Sequence, residues 1–291
     1  MKRAAPALEA ALSALTQAQL RRARTTVEAP AKCGQRVVRI AGGRELVDFS
    51  SNDYLGLAQH PALAAAMAAC AAQLGAGSGA SHLVTGHGSE HARLEEELAA
   101  FTGRERALLF STGYMANLAV MAALAGRNEC VLLDRLCHAS LIDGARLAGA
   151  VLRRYGHADV DSAARLLASD PRRTALLATD GVFSMDGDLA PLPQLARAAG
   201  AADAWLMVDD AHGLGVVGES GRGVLEHFAL SEAEVPILVG TLGKAFGSFG
   251  AFVAGTADLI EFLMQKARPY IYTTALPQPV AAATGCGSAV V

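Results

Sequence analysis

The chain lacks an excess of charge of either sign, a cysteine spacing that binds zinc or builds a disulfide framework, an internal repeat and a low-complexity tract. Its 291 residues hold 25 Lys and Arg against 28 Asp and Glu, a net charge of −3, so there is no basic field for nucleic acid to follow. With 52% hydrophobic and 18% charged residues, it falls outside the disordered class, which is polar and highly charged. The cysteines (Cys33, Cys70, Cys130, Cys137, Cys286) are odd in number, scattered and never spaced as CxxC. A reducing cytosol is therefore the expected compartment.

No secretory leader is expected either. The N-terminal run MKRAAPALEAALSALTQAQLRRAR places Glu9 where a leader must be apolar, and it reads as an amphipathic helix. One window, 107–126, has no charge over twenty residues, about the length a bilayer demands. Ser111, Thr112 and Gly113 cut it into strand, turn and helix, so no membrane span is expected.

What is present is an alternation. Aliphatic runs at 107–110, 130–133, 174–178, 205–208 and 237–239 are interleaved with helical stretches at 89–101, 140–148, 159–168 and 191–199. Strands buried on both faces and separated by helices predict an α/β fold with a mostly parallel central sheet. Ligands of such folds bind at the carboxyl ends of the strands, and the unusual polar residues sit there.

Lys244, in ILVGTLGKAFGSFG, follows an apolar strand, is flanked by Gly243 and Gly247, and has no acid within several positions. Desolvation favours its neutral amine, the form that makes and exchanges a Schiff base; the plain alternative is a surface lysine at a strand end. In AWLMVDDAHGLGVVG a buried strand delivers Asp209, Asp210 and His212. An aspartate three residues before a histidine can hold a pyridinium nitrogen protonated while the imidazole reaches a phenolic oxygen, as pyridoxal phosphate (PLP) requires; metal ligation is the alternative. Gly213, Gly215 and Gly218 spell GxGxxG, but four residues separate them from the strand and ESGRG cannot open a helix, which argues against NAD.

The turn STGY aims the Gly113 and Tyr114 amides at an anion from a helix start, and Thr241 adds a hydroxyl. His138 follows the 130–133 strand, where it could lie over a planar cofactor, or serve as a structural histidine. Ser184 and Asp186 sit in a Gly-containing loop after the 174–178 strand. His87 and His91 straddle the helix start near Ser89, which suggests a structural or capping role; no metal site is expected.

Together these segments resemble the α-oxoamine synthase family of fold-type I PLP enzymes. The motifs are FSSNDYLGL (49–57), GSGASHLVTGH (77–87), HARLEEELA, STGYMAN, DRLCHASL, GVFSMDGD, VDDAHGLGVVGE, TLGKAFG and RPYIYTTALP (268–277), and they span nearly the whole chain. The resemblance implies Lys244 as the Schiff-base lysine, Asp209 opposite the pyridine nitrogen, His212 on the phenolic oxygen and His138 against the ring. It gives Ser184, Thr241, Gly113 and Tyr114 to the cofactor, and Arg21, on the N-terminal helix, to the acyl substrate. Tyr272, Thr273 and Thr274 match positions that a partner subunit contributes, implying a homodimer with shared sites.

SHLVTGH is similar to the branch that condenses L-alanine with a pimeloyl thioester, with Lys244 removing the α-proton and His138 and His212 as acids; glycine and serine users, an aminotransferase or an inactive remnant are the alternatives. The implied domains are an N-terminal helical or extended segment (1–45), a PLP-binding major domain (46–276) and the start of an interdomain helix (277–291). Relatives continue for on the order of 100 residues, so a C-terminal small domain, with the arginine that binds the substrate carboxylate, is expected to be absent through truncation or frameshift. Gly285 and Gly287 fall inside that last helix at about 1 kcal/mol each.

Overall fold

The computed structural model describes residues 5–29, 37–169 and 174–288, so Cys33 lies outside the described residues. The chain divides between Ser51 and Asn52 into two units. In the first, α1 (Ala5–Gln17) precedes a three-stranded antiparallel sheet of β1 (Val27–Ala29), β2 (Val37–Ile40) and β3 (Glu45–Val47). The helix stops short of its expected end. Gln19 takes a left-handed φ of 56°, and the Leu20 and Gln19 amides close back on the Leu15 and Thr16 carbonyls, a Schellman end with glutamine where glycine is usual. Arg21 therefore lies beyond the helix that the sequence predicted for it, and it is exposed.

The second unit holds α2 (Pro61–Leu74), α3 (Ser89–Thr102), α4 (Gly113–Leu124), α5 (Ala139–Ala148), α6 (Val160–Ser169), α7 (Leu192–Ala201), α8 (Val224–His227), α9 (Ala257–Lys266), α10 (Arg268–Ile271) and α11 (Gln278–Ser288). They surround β4 (Arg106–Phe110), β5 (Cys130–Asp134), β6 (Val151–Tyr155), β7 (Thr174–Asp180), β8 (Trp205–Asp209), β9 (Ile237–Thr241) and β10 (Ala251–Gly255). The sheet order is β4-β10-β9-β8-β7-β5-β6. Only β10 runs against its neighbours, so the other strands, β4 included, end on one edge. The uncharged 107–126 window is β4 followed by α4, and among the described residues no helix is long and apolar enough to cross a membrane.

Side chains alternate across the sheet as a strand's period of two requires. Val131, Leu133, Leu176, Ala178 and Met207 join one core with α4, α5 and α9. Leu132, Leu177, Leu206 and Val208 join another with α6 and α7. A third core gathers Leu94, Leu98, Leu109, Phe246, Phe252 and Ala281. Gly285 and Gly287 have a packing reason in α11. A Cβ at Gly287 would stand 3.1 Å from the Phe246 carbonyl, and one at Gly285 would stand 2.7 Å from Oε2 of Glu97.

Candidate active site

The strand ends that share one edge build a cavity of about 180 Å³ lined by Gly113, Tyr114, Asn117, His138, Asp180, Asp209, Ala211, His212, Thr241 and Lys244. Of the residues expected at a site, Lys244, Asp209, His212, His138, Thr241, Gly113 and Tyr114 come together here. Ser184 does not: it sits exposed on the 181–190 loop, outside the lining, because that loop folds back on itself through the Phe183 amide to the Asp188 carbonyl and the Gly187 amide to the Phe183 carbonyl. Arg21 belongs to the other unit.

Lys244 is carried by the turn between β9 and β10. The Gly247 amide bonds its carbonyl and the Ser248 amide bonds that of Leu242, both at 2.9 Å. Gly247 has φ +64°, and a Cβ there would lie 2.4 Å from the Ala58 amide nitrogen, so only glycine lets the turn seat against that backbone. Lys244 Nζ reaches His212 Nε2 at 2.7 Å, and His212 Nδ1 lies 2.6 Å from Tyr54 Oη. Burial lowers the lysine pKa, with Asp209 and Asp180 opposing. Burial, then the nearby Lys244, pushes His212 down to about 4. At neutral pH the imidazole is uncharged and the amine is drawn toward its nucleophilic form.

Asp209 ends β8, with Oδ2 accepting from Asn117 Nδ2 at 2.6 Å and Oδ1 from the Ala211 amide at 3.1 Å. Asn117 also donates to Ser140 Oγ at 2.8 Å, and that hydroxyl lies 2.7 Å from His138 Nδ1. Because His138 Nδ1 also accepts the Ser140 amide, its ring proton sits on Nε2. Asp180 pairs directly with Asp209 in the sheet register. Burial, then the charge of Asp209, pushes Asp180 up to about 8.

Thr112 caps α4 by accepting the Met115 amide at 3.2 Å. Gly113 and Tyr114 therefore occupy the first helical positions, whose amides have no partner within the helix. A Cβ at Gly113 would meet nothing within 4 Å, leaving the helix start open for a ligand to approach. Thr241 Oγ donates to the Gly250 carbonyl and accepts the Gly243 amide. An amine, a carboxylate, two imidazoles and a helix N-terminus around one cavity match the aldehyde, ring nitrogen, phenolic oxygen and phosphate of PLP, so the residues present fit that group.

Sequence reasoning passed over Tyr54, Asn117, Ser140 and Asp180. Asn117 carried a local signal, one helical turn beyond Gly113 on the same face; Tyr54, 158 positions from His212, carried none. The glycine fingerprint behaves as expected, for no helix opens until α8 at Val224.

The histidines near α3 do gather. His82, His87 and His91 each offer a nitrogen within 4.8 Å of the others. His91 Nδ1 accepts the Gly88 amide, closing the helix start in the manner of a cap, and Nε2 donates to the Leu276 carbonyl at 2.6 Å. Both nitrogens of His91 are thus committed to backbone. His82 stacks on Tyr270 at 4.9 Å, so the cluster as built braces the 270–276 segment.

Residues 44–287 match the family model described as aminotransferase class I and II. The chain is 60% identical over 275 residues to 8-amino-7-oxononanoate synthase of Methylococcus capsulatus, covering 94% of this chain and 70% of that one. It spans 61–64% of the length of six further curated relatives of the same name. A serine palmitoyltransferase from Sphingomonas wittichii superposes with a TM-score of 0.89 at 31% identity, over 98% of this chain and 71% of that one. An 8-amino-7-oxononanoate synthase from Francisella tularensis superposes with a TM-score of 0.71 at 38% identity, over 81% and 66%. With most of its length inside the family model and its cavity at the expected sheet edge, the chain belongs to the aminotransferase class I and II family and, within it, to the 8-amino-7-oxononanoate synthases.

Proposed function

We propose that the chain carries the cofactor-binding part of a cytoplasmic, PLP-dependent acyltransferase of biotin biosynthesis. It condenses L-alanine with pimeloyl-CoA or the pimeloyl acyl carrier protein to give 8-amino-7-oxononanoate, carbon dioxide and the free thiol. The observation that carries this reading is the Lys244 amine, partly desolvated, 2.7 Å from His212 Nε2 and in one cavity with Asp209.

PLP, when bound, supplies an electron sink for the alanine α-carbon. Asp209 would hold the ring nitrogen protonated, and the Gly113 and Tyr114 amides with the Thr241 hydroxyl would hold the phosphate. Lys244 would anchor the cofactor and, with its amine free, would take the α-proton of alanine, a role worth ~10² to 10⁴ in rate. The α-carbon then bonds the thioester carbonyl carbon, the thiol leaves, the carboxylate departs as carbon dioxide and a proton returns to the α-carbon. His138 and His212 serve as acids at the carbonyl oxygens. Tyr272, 72% exposed, supports its assignment, with Thr273 and Thr274, to the neighbouring site of a homodimer. The major domain is assigned to 46–276.

The test is borohydride reduction in the presence of PLP, peptide mapping, and assay of carbon dioxide from alanine plus pimeloyl-CoA, with glycine and serine as competitors. A label on Lys244 with carbon dioxide release from alanine supports the reading. An unlabelled Lys244 overturns it; amino transfer without carbon dioxide marks an aminotransferase, and a label without turnover an inactive remnant.

A further inference from the structure

Away from the cavity, His157 is held between two carboxylates. Its Nδ1 lies 3.1 Å from Oδ1 of Asp134 and its Nε2 2.9 Å from Oδ2 of Asp188. An ionised carboxylate only accepts, so both ring nitrogens donate, and only the imidazolium has two N–H groups. Asp134 is fully buried at the end of β5, where it also receives the Leu136 and Ala158 amides. Phe183 meets the ring edge-on with centroids 4.4 Å apart. Of the charged groups at neighbouring positions, Asp159, on the turn into α6, accepts the Ser162 amide, and the Arg154 guanidinium donates to the Arg135 carbonyl; the Tyr155 phenol and the Cys137 thiol, both raised by burial and by Asp134, face the same carboxylate uncharged. Burial disfavours a charge on His157, but the bonds and charges of Asp134 and Asp188 outweigh it and raise its pKa.

The two carboxylates belong to the loops that leave β5 and β7. The first runs from Asp134 through Cys137, whose amide bonds the Asp134 carbonyl at 3.3 Å, to His138. The second starts at Asp180, which accepts the His138 amide at 3.2 Å, and folds back through Phe183 to Asp188. His138 and Asp180 both line the cavity. We infer that His157 is a positioning residue: as a cation bonded on both sides it clamps these two loops and so fixes His138 and Asp180 in the cavity wall. Its meaning for catalysis rests on the proposed function, whereas the clamp itself is a property of the protein alone.

The experiment follows the ring nitrogens of the ¹⁵N-labelled full chain by NMR between about pH 5 and 9, in the wild type, Asp188→Asn and His157→Gln. His157 stays an imidazolium above the ordinary midpoint of about 6.5, and Asp188→Asn lowers that midpoint by about one pH unit or more. The His138 signals move with the same midpoint as His157, and this step vanishes in His157→Gln, which also weakens PLP binding roughly tenfold because both charge-assisted bonds of the clamp are lost. A His157 ring that titrates at or below the ordinary value, or His138 signals indifferent to it, overturns the inference. The wild-type titration decides it even where neither variant folds. PLP that fails to bind the wild type counts against the proposed function, while the two titrations still judge the clamp.

Discussion

Tyr54 Oη lies 2.6 Å from His212 Nδ1, and the opposite nitrogen of that ring lies 2.7 Å from Lys244 Nζ. The His212 ring thus bridges the phenol on one side and the lysine amine on the other. The arrangement agrees with the lowered pKa of both His212 and Lys244. Removing the hydroxyl with Tyr54→Phe strands a half-buried nitrogen, at about 1–3 kcal/mol. The expected outcome is a Lys244 that still labels with PLP and a kcat for alanine and pimeloyl-CoA reduced roughly 10- to 100-fold. An unchanged kcat would show that the phenol is idle.

Lys244 itself should titrate early. Burial disfavours its ammonium form, so the reactive neutral amine gains population below the ordinary lysine range of about 10.4. The rate of PLP capture by the wild-type chain is expected to rise with pH through a midpoint below that value. Lys244→Ala should abolish the reducible adduct. A midpoint in the ordinary range would contradict the desolvated amine.

Stability should fall toward alkaline pH. Burial, chiefly, pushes Asp210 up to about 8, although Oδ2 accepts the Val224 amide at 2.8 Å. Its folded pKa is raised above the unfolded value of about 3.9, so its contribution is complete below pH ~4 and is lost as pH rises through about 8. Glu95, at about 7, and Asp180, at about 8, act in the same sense. His82, at about 3, and His212, at about 4, act oppositely: their contribution is lost as pH falls below the unfolded value of about 6.5. Urea unfolding is expected to show stability declining between pH ~6.5 and 8, with a shallower decline in Asp210→Asn. Equal slopes for the two proteins would exclude Asp210 as a source.

Gly240 in β9 is a packing glycine. A Cβ there would stand 2.5 Å from Leu214 Cδ1 and from the Phe252 ring, both of which are fully buried. Gly240→Ala is expected to cost about 1–3 kcal/mol, as overpacked cores do, read from denaturant midpoints. A neutral result would mean that the Phe252 ring repacks freely.

Much of the sheet is legible along the chain, because β5, β7, β8 and β9 are apolar on both faces and a continuous run marks them. β6 is not, since as the edge strand it keeps Arg153 and Arg154 within VLRRY. β10 is not either, because its short AFVAG run follows a glycine-rich turn and its antiparallel place between β4 and β9 is set by pairing alone. Lys244, Asp209, His212 and His138 stand out because each ends or follows an apolar run. Ser184 carries the same mark, yet its loop folds back and leaves it exposed.

The sequence by itself determined where chemistry would gather, since the order of strands and helices fixes which side chains reach a common edge. Only the tertiary structure decided how those groups are charged and held. The Tyr54–His212 contact, the Asp180–Asp209 pairing and the clasp of His157 join positions from 23 to 158 residues apart. A pKa follows from burial and from the charges beside a group, and neither is a property of neighbours along the chain.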